Sequence, residues 1–254
     1  MISEKRYKIE LEATEPLRIG AVEDPRSGIK NPVAKVGDRV VIPGSSLKGA
    51  LRAEIEQFLI ETYYGKGSQS WPKDKVAFQP CIPAPKPTTD ERALINDNKY
   101  RAEACHYPCG REEPREHSIC PTCYFLGAMR LSGFVRVPFL YAEISPEELY
   151  SARIDRARNT VVEGTNRPYQ LIPAGIKFSG NLVIISEDPV TGWKIGEPRP
   201  LNDKTLGDKW LEGGSLQAEE LINTYVIKRL GNIKILGGYK SKGFGAVEIK
   251  VTPL

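Results

Sequence analysis

Ile42-Pro-Gly-Ser-Ser-Leu-Lys-Gly-Ala-Leu-Arg52 is the stretch against which the rest of the chain is read. A β-rich run ends at Ile42, and Pro43-Gly44 turns the chain. Ser45 or Ser46 then caps a helix, its hydroxyl accepting from an otherwise unpaired backbone N–H. Leu47, Leu51, Ile55, Phe58 and Leu59 recur at helical spacing as one buried stripe. Lys48 and Arg52, four apart, share a second, exposed face. A Gly-Ser turn, open N–H groups at a positive helix end and two nearby cations make a phosphate site. The same residues also read as a capped amphipathic helix with ordinary surface cations. No Gly-Lys-Ser/Thr follows a glycine at Walker spacing.

Outward from this helix, residues 6–13 alternate, with Tyr7, Ile9, Leu11 and Ala13 on one face of a first strand. Residues 14–38, broken by Pro16, Gly20, Pro25, Gly28, Pro32 and Gly37, read as a long loop, a length usually tied to function. The helix runs to about Tyr64. From 65 to 123 prolines at 72, 80, 83, 85 and 87, which prevent regular structure, then charged residues and cysteines, mark an irregular insertion whose ends return to one core. Residues 134–144 are strand-like, and Pro138 makes them an edge or bulged strand. Two strand-like runs follow, around 176–178 and 181–185. Residues 187–214 form another loop. A second helix spans 216–230, with Leu216, Leu221, Val226 and Leu230 in its stripe. Residues 245–251 are the last strand. Without insertions the order is β-α-β-β-α-β, which predicts an α+β, ferredoxin-like (RRM-like) core. The expected organisation is a single domain over 1–254, with 1–64 and 124–254 as core and 65–123 as an inserted metal-binding subdomain.

The 254 residues carry net charge +4 and are 40% hydrophobic, which excludes wholesale disorder and permits nucleic acid without demanding it. No apolar run reaches membrane-spanning length, and Met1-Ile-Ser-Glu-Lys is already polar, so a cytoplasmic protein without a membrane partner is expected. Twenty prolines and 27% charged residues point toward a thermophilic prokaryote. Five cysteines, four of them within residues 105–123, argue for a metal in a reducing compartment. The pattern is Cys105-His106-x2-Cys109-x10-Cys120-x2-Cys123, two short pairs around a spacer. The preferred set is His106, Cys109, Cys120 and Cys123, a closed and therefore structural zinc site. Cys105 competes with His106, and His117 is a further candidate. Free thiols on a loop are the competing reading, and Cys81 is left over.

Two more constellations are basic. Leu236-Gly-Gly-Tyr-Lys-Ser-Lys-Gly-Phe-Gly245 combines four glycines, two aromatics and the cations Lys240 and Lys242, and no acidic residue occurs between Leu221 and Val247. Glycines admit a ligand to the backbone, lysines neutralise phosphates and rings offer stacking faces. A solvated hairpin turn is the bland alternative. Arg153-Ile-Asp-Arg-Ala-Arg158 places Arg153, Arg156 and Arg158 ahead of a β-branched run. Guanidinium forks suit phosphates, and equally suit structural ion pairs. No Ser-His-Asp set, dinucleotide fingerprint, HExxH or kinase motif is present, which argues against an enzyme of general metabolism.

The Pro-Gly-Ser-Ser-Leu-Lys-Gly-x-Leu-Arg run resembles the hallmark of the RAMP superfamily, the RNA-binding proteins of CRISPR systems, and is most similar to the repeating backbone subunit of type III effector complexes. The C-terminal glycine loop resembles that family's glycine-rich loop. Residues 154–171 resemble its β-hairpin thumb, which reaches over a neighbouring subunit's RNA. Cys120-Pro-Thr-Cys-Tyr-Phe-Leu-Gly127 is similar to the end of a zinc-bearing insertion in related subunits. The resemblance implies a modified ferredoxin-like fold, contact with CRISPR RNA and target RNA, and assembly with other subunits and copies of itself. RNA contacts are then expected at Ser45, Ser46, Lys48, Arg52, Arg153, Arg156, Arg158, Lys240 and Lys242. Family members that cut carry an aspartate two residues before a first-loop proline. Here that position, before Pro32, is Lys30, which at neutral pH is no base and holds no cation. No catalytic residue is therefore expected, with Asp24, beside Glu23, the weak substitute. The alternatives are an RNA-processing endonuclease of the same superfamily, which would want a histidine near either glycine-bearing loop, and a zinc-ribbon interaction module, against which the unbalanced basic C-terminus argues.

Overall fold

The structure, a computed structural model, describes residues 3–23, 30–65, 67, 70–84, 86–108, 119–188, 190–201, 207–212 and 217–254. Strand β1 (Ser3–Ala13) opens the chain, followed by the small hairpin β2 (Lys35–Val36) and β3 (Arg39–Ile42), then α1 (Gly44–Tyr63). A 3-10 turn (Lys73–Phe78), α2 (Thr89–Asn96) and α3 (Pro121–Leu126) come next. β4 (Val135–Arg136), β5 (Leu140–Ala142), β6 (Glu147–Ser151), β7 (Ile154–Asp155), β8 (Thr160–Val161), β9 (Arg167–Leu171) and β10 (Lys177–Glu187) follow. α4 (Ala218–Ile222) passes through a π-helical turn (Asn223–Ile227) into α5 (Lys228–Asn232), and β11 (Val247–Pro253) closes the chain.

The main sheet runs β11-β1-β10-β5-β3-β2, with β4 also on β10, and every pairing is antiparallel. This is an α+β arrangement in which sequence-distant strands become neighbours. Ile9, Leu11, Phe178, Leu182, Ile184, Val247 and Ile249 point to one buried face, where α1 contributes Leu47, Leu51, Ile55 and Leu59. Lys8, Glu10, Glu12, Lys177 and Lys250 alternate with them on the other face and pair among themselves, as in Lys8–Glu10 at 2.8 Å and Lys177–Glu12 at 3.5 Å. The Lys8 hydrogen bond and charge hold the Glu10 carboxyl below its usual range. β1, β10 and β11 thus present charged and polar side chains there and no aromatic ring, while β5 adds Tyr141, opposite Ser179 and beneath Arg39. Among the described residues, no helix is long and apolar enough to cross a membrane.

Several elements differ from the sequence reading. Neither Ser45 nor Ser46 caps α1: the N-cap is Pro43, with no side-chain cap, and its carbonyl accepts from the Ser46 N–H at 2.9 Å. Gly44 starts the helix against β5's entry, where a Cβ would lie 2.6 Å from the Val137 carbonyl oxygen. The runs around 176–178 and 181–185 are one strand, β10, since Gly180 lets Phe139 and Pro138 cross close above it. Pro138 does split 134–144, into β4 and β5. The insertion, read as irregular, holds the 3-10 turn and α2, and α2 carries a complete capping box between Thr88 and Glu91. Leu216, expected in the second helix, lies outside the described residues.

A candidate metal centre and an RNA-facing set of loops

Cys120 is the N-cap of α3, with Pro121 at the first helical position, and Cys123 follows one turn later on the same side. Cys81 enters from the segment after the 3-10 turn, bridged to Arg101, and Cys105 follows four residues beyond Arg101. The four Sγ atoms all lie within 4.8 Å of one another, and all four residues are buried. Cys81 and Cys123 are 3.5 Å apart, too far for a disulfide. Tetrahedral zinc with Zn–S near ~2.3 Å needs S···S separations of about 3.8 Å, which these distances bracket. Donors converge on the sulfurs: Cys105 N–H on Cys81 Sγ at 3.4 Å and Cys120 N–H on Cys105 Sγ at 3.3 Å. Arg101 Nη2 donates to Cys105 Sγ at 2.8 Å, and Arg52 Nη1 to Cys123 Sγ at 3.8 Å. An N–H donor on a sulfur favours its thiolate, the form a metal requires. Burial opposes ionisation of Cys120, but hydrogen bonds from the neighbouring thiols and the Arg101 charge draw it well below the usual thiol value. Hydrogen bonds to those same thiols, and then burial, push Cys123 well above it. Four close, buried cysteines are thus able to hold one metal ion.

Among the described residues the set differs from the preferred one. Cys120 and Cys123 are common to both, Cys105 was the competitor to His106, and Cys81, the cysteine left over, joins them. His106, whose backbone bridges to Met129, is not in the group formed among the described residues, and Cys109 and His117 lie outside those residues. Short-spacing logic favoured neighbours in sequence. Cys81 arrives from 39 positions before Cys120 because the Lys73–Phe78 turn and α2 fold back, with Arg101 N–H on the Pro80 carbonyl at 2.9 Å. The leftover fifth cysteine was itself the available signal.

The two α1 cations separate. Lys48 is exposed, and its pKa is lowered by partial burial and by Arg52. Arg52 is not on the exposed face: its side chain is 17% exposed, and it donates to Glu56 Oε1 at 3.3 Å, the Gly127 carbonyl at 3.3 Å and Cys123. A stripe at positions 47, 51, 55 and 59 turns position 52 toward α3, which packs on α1. Glu56, 8% exposed, also accepts from the Tyr100 hydroxyl at 3.4 Å, and burial raises its pKa to about 7 against the pull of Arg52.

Lys48 opens onto a cleft of about 840 Å³ between the 127–136 segment and the Ile185–Trp193 turn. Arg130 and Arg136 line it, as does Arg199, which is held by Asp208 at 2.8 and 3.0 Å. Asp188, at the far wall, is tied to the Val190 and Thr191 N–H groups, which hold its pKa below the usual range. Gly133 allows the near wall to close: a Cβ there would sit 2.3 Å from the Phe125 carbonyl oxygen.

The first loop, the hairpin and the glycine loop meet at an aromatic cluster. Tyr169 on β9, Tyr239 and Phe244 form a cluster with centroids 5.4–6.2 Å apart. Arg18 and Lys242 both lie over the Tyr239 ring, at 4.7 and 4.5 Å. Gly237 and Gly245 take positive φ, and a Cβ on either would strike a backbone oxygen within 2.4 Å. Lys240 and Lys242 are exposed. The hairpin starts at Glu147, earlier than the 154–171 of the sequence reading, as two ladders, β6–β9 and β7–β8. Arg153, Arg156 and Arg158 stand exposed at its tip, which Asp155 shapes by accepting from the Ala157 and Arg158 N–H groups. Among the described residues none of these three arginines has an ion-pair partner. Asn31 pins the first loop to the hairpin base: its Nδ2 donates to the Pro168 carbonyl, and its own carbonyl accepts from Arg18 and Gln170. Lys30, the residue before it, is exposed; Asp24 lies outside the described residues.

No curated protein compared with the chain matches it. Its residues 10–248 match the family model of the RAMP superfamily, a group that includes CRISPR-associated RNA-binding subunits acting in multisubunit complexes. With the match spanning nearly the whole chain, the protein belongs to the RAMP superfamily.

Proposed function

We propose that the chain is a backbone subunit of a type III CRISPR effector complex, binding CRISPR RNA through its phosphates and repeating along it so that the guide faces target RNA. The observation that carries this reading is the meeting of first loop, hairpin and glycine loop at Tyr169, Tyr239 and Phe244, with cations exposed around them. Lys48, Lys240 and Lys242 would hold phosphates, with Ser45 and Ser46 near the open end of α1. Arg153, Arg156 and Arg158 would reach a neighbouring copy's RNA from the hairpin tip. Such contacts position the strand and leave sequence to base pairing.

In the same reading β1, α1, β5, β10, α4 with α5, and β11 form a ferredoxin-like core over 1–64 and 124–254. Residues 65–123 are its inserted subdomain, organised by one structural zinc on Cys81, Cys105, Cys120 and Cys123. The boundary falls inside α3, whose Tyr124 and Phe125 join the main core while Cys120 and Cys123 join the smaller cysteine cluster. Lys30 in place of a carboxylate makes this subunit one that binds without cutting, in the cytoplasm. The test is binding of two unrelated RNAs across a salt series: near-equal affinities with a steep salt dependence support the reading. Sequence-dependent affinity, or binding indifferent to salt, would count against it.

A further inference from the structure

The two buried arginines beside the cysteines have a role that RNA contact does not explain. Arg52 comes from α1, in the main core, and Arg101 from the insertion, and each guanidinium donates to a different sulfur, Cys123 and Cys105. Arg101 is 8% exposed. Four thiolates around a divalent ion carry two net negative charges, and two guanidinium groups carry two positive ones. The two guanidinium groups thus offset the charge of the tetrathiolate, which favours placing it out of water, and Glu56, which Arg52 also holds, adds a negative charge only when it is ionised. With protonated thiols instead, both guanidinium groups would face neutral sulfurs.

Resting on the reading of the four cysteines as a metal centre, we propose that Arg52 and Arg101 are the outer counter-ions of a divalent tetrathiolate site. Arg52 is a positioning residue: it fastens α1 to α3 and to the Gly127 carbonyl, where the cleft wall begins.

The experiment uses the full chain. Elemental analysis first establishes whether the wild type holds one zinc; none would end the metal reading, and this proposal with it. With zinc present, competition against a chromogenic chelator measures Zn²⁺ affinity for Arg52→Met, Arg101→Met and the charge-keeping Arg52→Lys and Arg101→Lys. The expected result is a loss of about 10–100-fold for the methionine variants, the usual scale for outer-shell partners, and a smaller loss for the lysine variants. Cobalt-substituted protein should keep its sulfur-to-metal absorption in the lysine variants, showing that the four sulfurs still bind. In parallel, zinc-loaded Arg52→Lys should bind RNA within about twofold of wild type, whereas Lys48→Ala should bind several-fold more weakly. Unchanged zinc affinity in all four variants would overturn the proposal while leaving the metal centre standing. Loss of RNA affinity in zinc-loaded Arg52→Lys as large as in Lys48→Ala would also overturn it, by returning Arg52 to the RNA.

Discussion

The guanidinium of Arg18 lies 4.7 Å from the centroid of the Tyr239 ring, and Lys242 approaches the same ring at 4.5 Å. Tyr239 holds this position in a left-handed backbone conformation, φ 61°, between Gly238 and the 3-10 turn Lys240–Lys242. One ring therefore ties the first loop to the glycine loop and fixes a lysine meant for phosphate. Replacing it by leucine should free both cations. With one such contact worth roughly 0.5–2 kcal/mol, RNA affinity should fall about 2- to 30-fold, while Tyr239→Phe should bind as wild type. Equal losses in the two variants would mean that the hydroxyl, not the ring face, matters.

Gly49 lies inside α1 with nothing within 4 Å of where a Cβ would stand. A helix-interior glycine costs about 1 kcal/mol relative to alanine, so the fold has no use for it. Gly49→Ala should raise the melting temperature by a few degrees. Close approach of an RNA backbone along this face, beside Lys48, would explain the glycine. The same variant should then bind RNA more weakly although it is more stable. A stabilised variant with undiminished binding would remove α1's exposed face from the RNA path.

Glu56 makes the stability of the metal-bearing side depend on pH. Its burial raises its pKa to about 7, so the folded chain binds this proton more tightly than the unfolded chain does. The stability contributed by the protonated form is present below the ordinary carboxyl range and is lost as pH rises through about 7. Between pH 6 and 8, with Zn²⁺ saturating, the wild type should lose about 1 kcal/mol that Glu56→Gln does not lose. Thermal melts of both proteins at the two pH values read this directly, and parallel slopes would place the titration elsewhere.

Cys81→Ser should abolish or greatly weaken zinc binding, while Cys109→Ser and His106→Ala should leave one zinc per chain. Elemental analysis of the three variants decides between the set that the fold gathers and the one that short spacing suggested.

The contrast between these ligand sets shows what the sequence made legible. The alternating strand at Tyr7–Ala13, the α1 stripe and the α+β order were readable because burial imposes periods of 2 and 3.6 directly on residue type. The glycine loop was readable because positive φ and close backbone approach select glycine, as at Gly237 and Gly245. Cys81 was not readable, since its partnership with Cys123 depends on how a proline-rich segment folds back. Arg52 was misplaced for a related reason. A cation one turn from Lys48 looks exposed until α3, nearly 70 residues later, covers it. The Thr88–Glu91 capping box is present in the sequence and marks α2 inside a segment whose prolines suggest irregular structure.

The central claim, that this chain repeats along RNA as a backbone subunit, is tested most directly by native mass measurement of the protein mixed with guide RNAs of increasing length. The account predicts complexes whose number of chains grows with RNA length, and which dissociate at high salt. A single chain bound whatever the length, or no RNA bound at low salt, would contradict it.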